Sequence, residues 1–563
     1  MQFHNGDVAE NGGATADSYH VGHVLLDFFN QPEDYVWQID AGTGEVENKS
    51  SVKSRSIQLA RCLRNAGFKP GDVIAVSGIN HLDVHIPFYA GYFNGHPIMG
   101  IDPSYRYDEV KRLFEIAKPK VTFVEVSLVE EYEKVINDLG LDTRIITFGD
   151  SDRSLAKFIK TYDDGAPDSD FRVATFDTSK VFAWLVLTSG TTGLPKVAAF
   201  KHSDIITMIK INSVMKDKEM APFMLLPSVQ WVSSYVATLC MIFANQIKLQ
   251  SSTPITVEHI IEIINKYKPV AAISTPLVIN GILKHEKHCD MTCFKRLVVT
   301  AFAINPVTLN QLKAKMGPGG EVWNLLGQTE CLGAILLPAP NGPQGNCGTE
   351  MPIRPVKLVD TTTGQVITEP NKVGELWTKG PKLSEYYMNP EATDAAFSDG
   401  WLRTGDLLYR DEKGYFFYVE RISSSFRYRN YFITPMELEH VIQEHPDVLD
   451  VCVVGVPHPE DHKHAIACVI RCPGSTLTEQ GVKDIISSKL SAYKQVSSVI
   501  FVDNFPRTIS GKVARGKVLE YVLEVQKLGT SEWPSSGNTK KLISAFQQLS
   551  TTGNTRYLSR GRH

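Results

Sequence analysis

Short apolar runs rich in β-branched residues recur along most of this chain, separated by stretches with helical spacing. The runs include "VIAVSG" from Val73, "VTFVEV" from Val121, "VFAWLVL" from Val181, "AAISTP" from Ala271 and "RLVVTAF" from Arg296. Amphipathic stretches such as "SRSIQLARCLRNAG" and "VEHIIEIINKYK" lie among them. Strands without polar alternation suit a sheet covered on both faces, and parallel neighbours need crossovers long enough to hold a helix. The expected fold class is α/β: a large N-terminal domain of mixed, largely parallel sheets flanked by helices, over residues 21–421. After "RTGDLLYRDEKGYFFYVER" the texture changes. Helix-like "TPMELEHVIQEH", strand-like "VLDVCVVGV" and "HAIACVIRC", and helix-like "GVKDIISSKLSAY" predict a small, mobile α+β C-terminal domain over 422–527. The joining segment "RISSSFRYRN" is the expected hinge, and polar tails are expected at 1–20 and 528–563, the second with one short helix, "KLISAFQQL".

Charge excludes one class of function. Lys and Arg number 58 against 62 Asp and Glu, a formal net charge of −4, without the basic excess of a general nucleic-acid binder. No apolar run approaches the ~18 residues of a membrane span. The polar opening "MQFHNGDVAENGGATADSYH" lacks the apolar core of a secretory signal. Nine scattered cysteines fit reduced thiols better than a disulfide framework. The closing "SRGRH" does not match a Ser-Lys-Leu peroxisomal address, so the cytosol is the expected compartment.

The most suggestive loop is "TSGTTGLPK", Thr188 to Lys196, directly behind the apolar run from Val181. Small residues let backbone N–H groups converge on phosphate oxygens, the hydroxyls add donors, and Lys196 adds positive charge. No glycine-lysine-serine/threonine triplet closes it, so it is not a Walker A loop, and it lacks the three-glycine dinucleotide fingerprint. From these residues alone, a phosphate cradle and a plain connector both remain open.

Companion motifs change the reading. "TSGTTGLPK" resembles the phosphate loop of the adenylate-forming (AMP-binding) superfamily, which includes acyl-CoA synthetases, 4-coumarate–CoA ligases and beetle luciferases. Three further segments resemble that superfamily in the right order: "GELWTKGPKLSEYYMNPEAT" from Gly374, "GWLRTGDLLYRDEKGYFFYVER" from Gly400 and "PRTISGKVARGKV" from Pro506. The resemblance runs from about residue 25 to about residue 525. It implies that a carboxylate attacks the α-phosphate of ATP to give an acyl-adenylate and pyrophosphate, and that a thiol, usually coenzyme A, then displaces AMP. ATP, Mg²⁺ and coenzyme A are the implied cofactors, with a small-molecule carboxylic acid as substrate.

The resemblance also implies roles for individual residues. Thr188, Ser189, Gly190, Thr191, Thr192, Gly193 and Lys196 would hold the β- and γ-phosphates. In "NLLGQTECLG", Thr329 resembles the residue that hydrogen-bonds the α-phosphate, and Glu330 the one that helps hold Mg²⁺. Asp406 would accept from two ribose hydroxyls. Arg421 resembles an arginine that contacts ribose or phosphate, and Lys512 a lysine that bridges the acyl carboxylate and the α-phosphate. Taken singly, Asp406 also reads as a turn residue, Arg421 as an exposed ion-pair partner and Lys512 as a surface lysine. The superfamily turns its small domain between the two half-reactions, and "RISSSF" falls at that hinge.

Several positions depart from the superfamily pattern. Val197 follows Lys196 where a glycine is usual, and "TAFAINP" puts Ala301 and Phe302 at small-residue positions. Leu326 stands where an aromatic commonly stacks on adenine. Asn430 occupies a glycine position beside the pantetheine channel, and Arg427 a basic position that serves the second conformation in luciferases. Adenylation is therefore better supported than transfer to coenzyme A. In "PSVQWVSSYVATL", Gln230 and Trp231 stand at the gate of the acyl pocket, where relatives often carry a histidine or an aromatic. Trp231 reads equally as a tunnel wall or a core tryptophan. A medium or long fatty acid and an aryl-propenoic acid both remain open.

The preferred function is an AMP-forming acid–thiol ligase. An adenylate former with another acceptor (luciferase-like or amide-forming) and a catalytically weakened relative are the alternatives. Retention of Lys196, Thr329, Glu330, Asp406, Arg421 and Lys512 together speaks against weakening. Two histidine clusters read as decoys. "HEKHCDMTC" from His285 has no second cluster at zinc spacing and is expected as a surface helix end. "HPEDHKH" from His458 is expected as a polar loop between strands, with solvated histidines.

Overall fold

The structure is a computed structural model that describes residues 18–188, 196–212, 220–244, 246–301, 304, 306–422, 424–429, 431–458, 461–490, 492–507 and 512–527. The expectations placed on Ser189, Gly190, Thr191, Thr192, Gly193, Phe302, Asn430 and the tail helix lie outside the described residues. Chain contacts divide the molecule into a larger unit that runs to Ser425 and also takes in Lys512, and a smaller unit that begins at Phe426.

Two sheets of the larger unit match the buried-strand pattern. In the first, Glu321–Asn324, Arg296–Val299, Ala271–Ser274, Ala221–Met224, Gln246–Gln250 and Val36–Asp40 run parallel in that spatial order, and Val46–Asn48 closes the edge antiparallel. In the second, Phe182–Thr188, Ile98–Gly100, Ile74–Ser77, Val121–Glu125 and Arg144–Phe148 are parallel. Lys196–Lys201 and Glu385–Tyr386 then extend its other edge antiparallel. Trp184, fully buried on the strand Phe182–Thr188, donates its ring N–H to the Tyr92 hydroxyl at 2.8 Å, which satisfies the one polar atom that indole burial would strand.

Helices form where the amphipathic spacing placed them. Val257–Tyr267 starts after Thr256, whose hydroxyl oxygen accepts from the His259 N–H at 3.1 Å, an N-cap. Its Ile260, Ile261, Ile263 and Ile264 are buried, each contributing about 1.5–3 kcal/mol over exposure. Lys268, at φ +49°, turns the chain out of the helix.

A third sheet departs from the alternating pattern. Asn346–Gly348, Phe416–Arg421, Trp401–Arg410, Gly374–Thr378, Val356–Val359 and Val366–Ile367 pair antiparallel throughout. Short connections such as Asp411 to Tyr415, closed by the Asp411 N–H on the Tyr415 carbonyl at 2.9 Å, leave no room for crossover helices.

In the smaller unit a long hairpin, Val448–His458 with His462–Arg471, is apolar on both faces. Val451, Val453, Ala467 and Val469 pack in one cluster with residues of the helices Pro435–Gln443 and Glu479–Lys489. Cys452, Val454, Ile466 and Cys468 pack in another with Val518 and Val522 of Arg515–Lys527. Two-sided burial explains the near-continuous apolar reading of "VLDVCVVGV". Phe426–Tyr428 and Tyr431–Ile433 extend this sheet antiparallel, and Ser498–Phe501 joins it parallel.

All nine cysteines are free. No helix among the described residues is long and apolar enough to cross a membrane. The "HEKHCDMTC" segment follows the end of the helix Pro276–Lys284, and no metal-type grouping among the described residues includes it. In "HPEDHKH" His462 is exposed and His458 and His464 are partly so, but His458 and His462–His464 lie in paired strands, and the rings of His458 and His464 stack beside the Asp461 carboxylate.

Candidate active site

The strands Phe182–Thr188 and Lys196–Lys201 pair up to Thr188 opposite Lys196. Both ends of the hydroxyl-rich loop are therefore fixed at the end of one strand pair. Thr188 is buried, while Lys196 is half-buried with its ammonium 4.8 Å from the centre of the Tyr386 ring. Tyr386 sits on the next strand, opposite Ala198, which places the ring beside the Lys196 side chain.

Tyr386 also reaches the second motif. Its hydroxyl donates to Glu330 Oε1 at 2.8 Å. Burial, then the charge of Glu330, pushes the Tyr386 phenol well above its ordinary pKa, so it remains a donor. Glu330 lies in the 3-10 turn Thr329–Cys331, carried by the small hairpin of Gly327–Gln328 with Gly333–Ala334. That hairpin needs glycine at 327, since a Cβ there would stand 2.7 Å from the Gly333 carbonyl oxygen. Beneath the turn, buried Arg354 donates from Nη2 to the Cys331 carbonyl at 3.0 Å.

Asp406 anchors the third motif. It is buried on Trp401–Arg410, and Arg421 on the neighbouring strand donates from Nη1 to Asp406 Oδ1 at 2.7 Å. Gln328 donates from Nε2 to Asp406 Oδ2 and to the Thr404 carbonyl, the latter at 2.9 Å. The Asp406 backbone N–H reaches Thr404 Oγ1 at 3.1 Å. The carboxylate is thus oriented on both oxygens before any ligand arrives.

Lys512 belongs to the same electrostatic group. Its side chain keeps exposed area, yet the protein around the ammonium pushes its pKa down by desolvation. The Arg421 guanidinium adds to that shift, while Asp406 and Glu330 oppose it. The structure therefore brings Lys196, Glu330, Asp406, Arg421 and Lys512 into one linked set, with Thr188 at the strand end beside it.

Other expected positions stand differently. Gln230 is buried, with its amide donating to Asp102 Oδ2 at 3.1 Å, while Trp231 is half-buried as the N-cap of the helix Val232–Phe243. Leu326 packs against the main core of the larger unit. Ala301 holds a left-handed backbone, φ +82°, a conformation that glycine adopts without strain. Gln328, Arg354 and Tyr386 escaped the sequence reading as functional residues. Gln328 and Tyr386 lie inside quoted motifs, but their partners are 78 and 56 residues away.

The described donors suit a nucleotide triphosphate: a held carboxylate for hydroxyls, an arginine and two lysines for phosphate, and a carboxylate for a hard divalent cation. The AMP-binding enzyme family model matches residues 37–388, and the model of the AMP-binding enzyme C-terminal domain matches residues 437–512. A 4-coumarate–CoA ligase-like 6 of Oryza sativa subsp. japonica is 28% identical over 509 residues, covering 85% of this chain and 83% of that protein. Luciferin 4-monooxygenase of Photinus pyralis is 27% identical over 504 residues, covering 85% and 89%. The crystal structure of ATP-bound MatB from Rhodopseudomonas palustris superposes with a TM-score of 0.80 at 21% identity, covering 90% of this chain and 99% of that one. With more than half its length matched by the first of these family models, the chain belongs to the AMP-binding enzyme family of adenylate-forming proteins.

Proposed function

We propose that this chain activates a carboxylic acid with ATP, forming an acyl-adenylate and pyrophosphate, and then passes the acyl group to the thiol of coenzyme A. The observation that carries the first half is the pre-oriented Asp406 carboxylate, held by Arg421 and Gln328 in one electrostatic set with Glu330 and Lys512. Asp406 accepts the two ribose hydroxyls and fixes the sugar. Thr329 donates to the α-phosphate, and Arg421 contacts ribose or phosphate. Lys196 and the hydroxyl-rich loop from Thr188 hold the β- and γ-phosphates, so that charge building toward pyrophosphate meets donors already in place. Lys512 bridges the incoming carboxylate and the α-phosphate, drawing the nucleophile to the phosphorus.

Glu330 fits a Mg²⁺ ligand by donor chemistry, as a hard oxygen that Tyr386 orients through Oε1. When bound, Mg²⁺ neutralises charge on the departing pyrophosphate. The thioester half is supported by the CoA-ligase relative. The luciferin 4-monooxygenase relative, at nearly equal identity, supports a second reading in which the adenylate forms as above and the acceptor is not coenzyme A.

The test uses full-length protein with ATP, Mg²⁺ and a panel of medium- and long-chain fatty acids and aryl-propenoic acids. Pyrophosphate release with at least one acid, lost in Lys512→Ala, is the expected result. Silence across the panel overturns the adenylation reading. Adding coenzyme A then separates the two acceptors, because only the ligase reading yields an acyl-CoA.

A further inference from the structure

The tip of the long hairpin in the smaller unit carries chemistry that nucleotide activation does not use. Val448–His458 and His462–Arg471 pair as far as His458 opposite His462. Directly opposed residues share a sheet face, and residues two apart along a strand share it again. His458 and His464 therefore rise on one face, and their rings stack with centroids 3.9 Å apart and planes 10° from parallel. Asp461 turns its carboxylate toward both. Its Oδ2 lies 2.8 Å from His464 Nε2 and 3.6 Å from His458 Nδ1. One ligand atom from each of these three residues lies within 4.8 Å of the other two.

We propose that His458, Asp461 and His464 form a binding site for a borderline divalent cation of the first transition row, Zn²⁺ foremost. Two imidazole nitrogens and one carboxylate oxygen are the donor set that such ions choose, and Mg²⁺, which wants oxygen, does not compete for it. Zinc bonds of about 2.0–2.2 Å in tetrahedral array set neighbouring ligand atoms roughly 3.3–3.5 Å apart. The separations of 2.8 Å and 3.6 Å straddle that spacing, and because a ring nitrogen binds a metal in its own plane, the stacked imidazoles must turn out of parallel to close on an ion.

The surroundings already orient the ligands. Arg429 donates from Nε to Asp461 Oδ1 at 2.7 Å, and its backbone N–H reaches the Asp461 carbonyl at 2.9 Å. That contact engages one carboxylate oxygen and leaves the histidines facing the other, the outer-layer support that metal-binding carboxylates commonly have. The Asp461 N–H points at His458 Nδ1 from 3.2 Å, so that nitrogen presents a lone pair rather than a proton. A metal ion takes over this lone pair and leaves the amide to water. All three ligands come from a span of seven residues, so no distant element is needed to assemble the site. With three protein ligands, the fourth position goes to water, the arrangement of an exchangeable rather than a closed structural site.

The experiment treats the full chain with chelator, removes the chelator, and titrates Co²⁺ as a visible-absorbing probe before displacing it with Zn²⁺. The expected result is one saturable equivalent with a d–d spectrum and no thiolate-to-metal charge-transfer band. His458→Gln and His464→Gln should each weaken Zn²⁺ by about tenfold or more, while His288→Gln in the other histidine cluster leaves it unchanged. Should either hairpin variant fail to fold, as judged by circular dichroism, the other decides. A charge-transfer band that persists in His464→Gln assigns the ion to cysteine and overturns the proposal. Undiminished affinity in the folded hairpin variants, or no saturable binding by the parent protein, overturns it too.

Discussion

Arg421 and Asp406 face one another across neighbouring antiparallel strands, with Nη1 donating to Oδ1 at 2.7 Å in an otherwise buried site. Because Gln328 holds the second oxygen, the carboxylate is fixed by partners from two separate motifs. Asp406→Asn keeps the shape but reverses one hydrogen bond and removes the charge. Pyrophosphate release should fall by about 10²-fold, and the unfolding free energy in urea by ~1–2 kcal/mol, as Arg421 loses its counter-charge. Unchanged release with the most active acid contradicts the assignment of Asp406.

Tyr386 links Lys196 and Glu330, with its ring under one and its hydroxyl on the other. Tyr386→Phe removes the hydroxyl and keeps the ring. A hydrogen bond to a charged acceptor contributes about 1.5–3 kcal/mol, so activity at limiting Mg²⁺ should drop about tenfold or more. Raising Mg²⁺ should restore part of it. A loss that Mg²⁺ does not touch means that Tyr386 acts on the fold and not through Glu330.

Ala301 pays a steric cost at φ +82° that glycine would avoid. Left-handed backbone costs an L-residue about 1–2 kcal/mol, and glycine gives back about 0.5–1 kcal/mol in the unfolded chain. Ala301→Gly should therefore stabilise the protein by ~0.5–1 kcal/mol, read as a higher urea midpoint. A lower midpoint shows that the methyl group packs more than it strains.

Four buried histidines set the acid limit of stability. Burial is the largest cause in each case, pushing His20 down to about 3 and His96 to about 4, and holding His85 and His202 well below the usual value. In the unfolded chain they take up protons near pH 6.5, while the folded chain does not. The unfolded state thus binds more protons below that point, so stability is full above about pH 6.5 and declines as pH falls toward the depressed folded values. From pH 6.5 to 5.5 each histidine should remove roughly 1 kcal/mol. Urea midpoints that stay level between pH 7.5 and pH 5.5 exclude this account.

Local pattern makes much of the molecule legible in the sequence. The runs at Val121 and Val181 become strands, and Thr256 and Lys268 bound a helix that the isoleucine spacing had marked. The third sheet was less visible, because strand pairs such as Lys357 with Trp377 depend on register and not on composition. Site residues followed the same division. Lys196, Glu330 and Asp406 carry charge in short motifs and stood out, whereas Gln328 and Arg354 matter through contacts with a distant carboxylate and a backbone carbonyl. Arg354 had no sequence signal at all, since one arginine among the 58 basic residues gains meaning only from where it is buried.

The pairing of Thr188 with Lys196 makes this strand pair a ruler for the side chains that leave the loop. Strand side chains alternate faces, so a residue inserted after Lys196, ahead of Val197, would shift the count by one and carry the lysine away from the Tyr386 ring. The register constraint therefore falls on the first paired step, where the lysine leaves the loop and enters the strand.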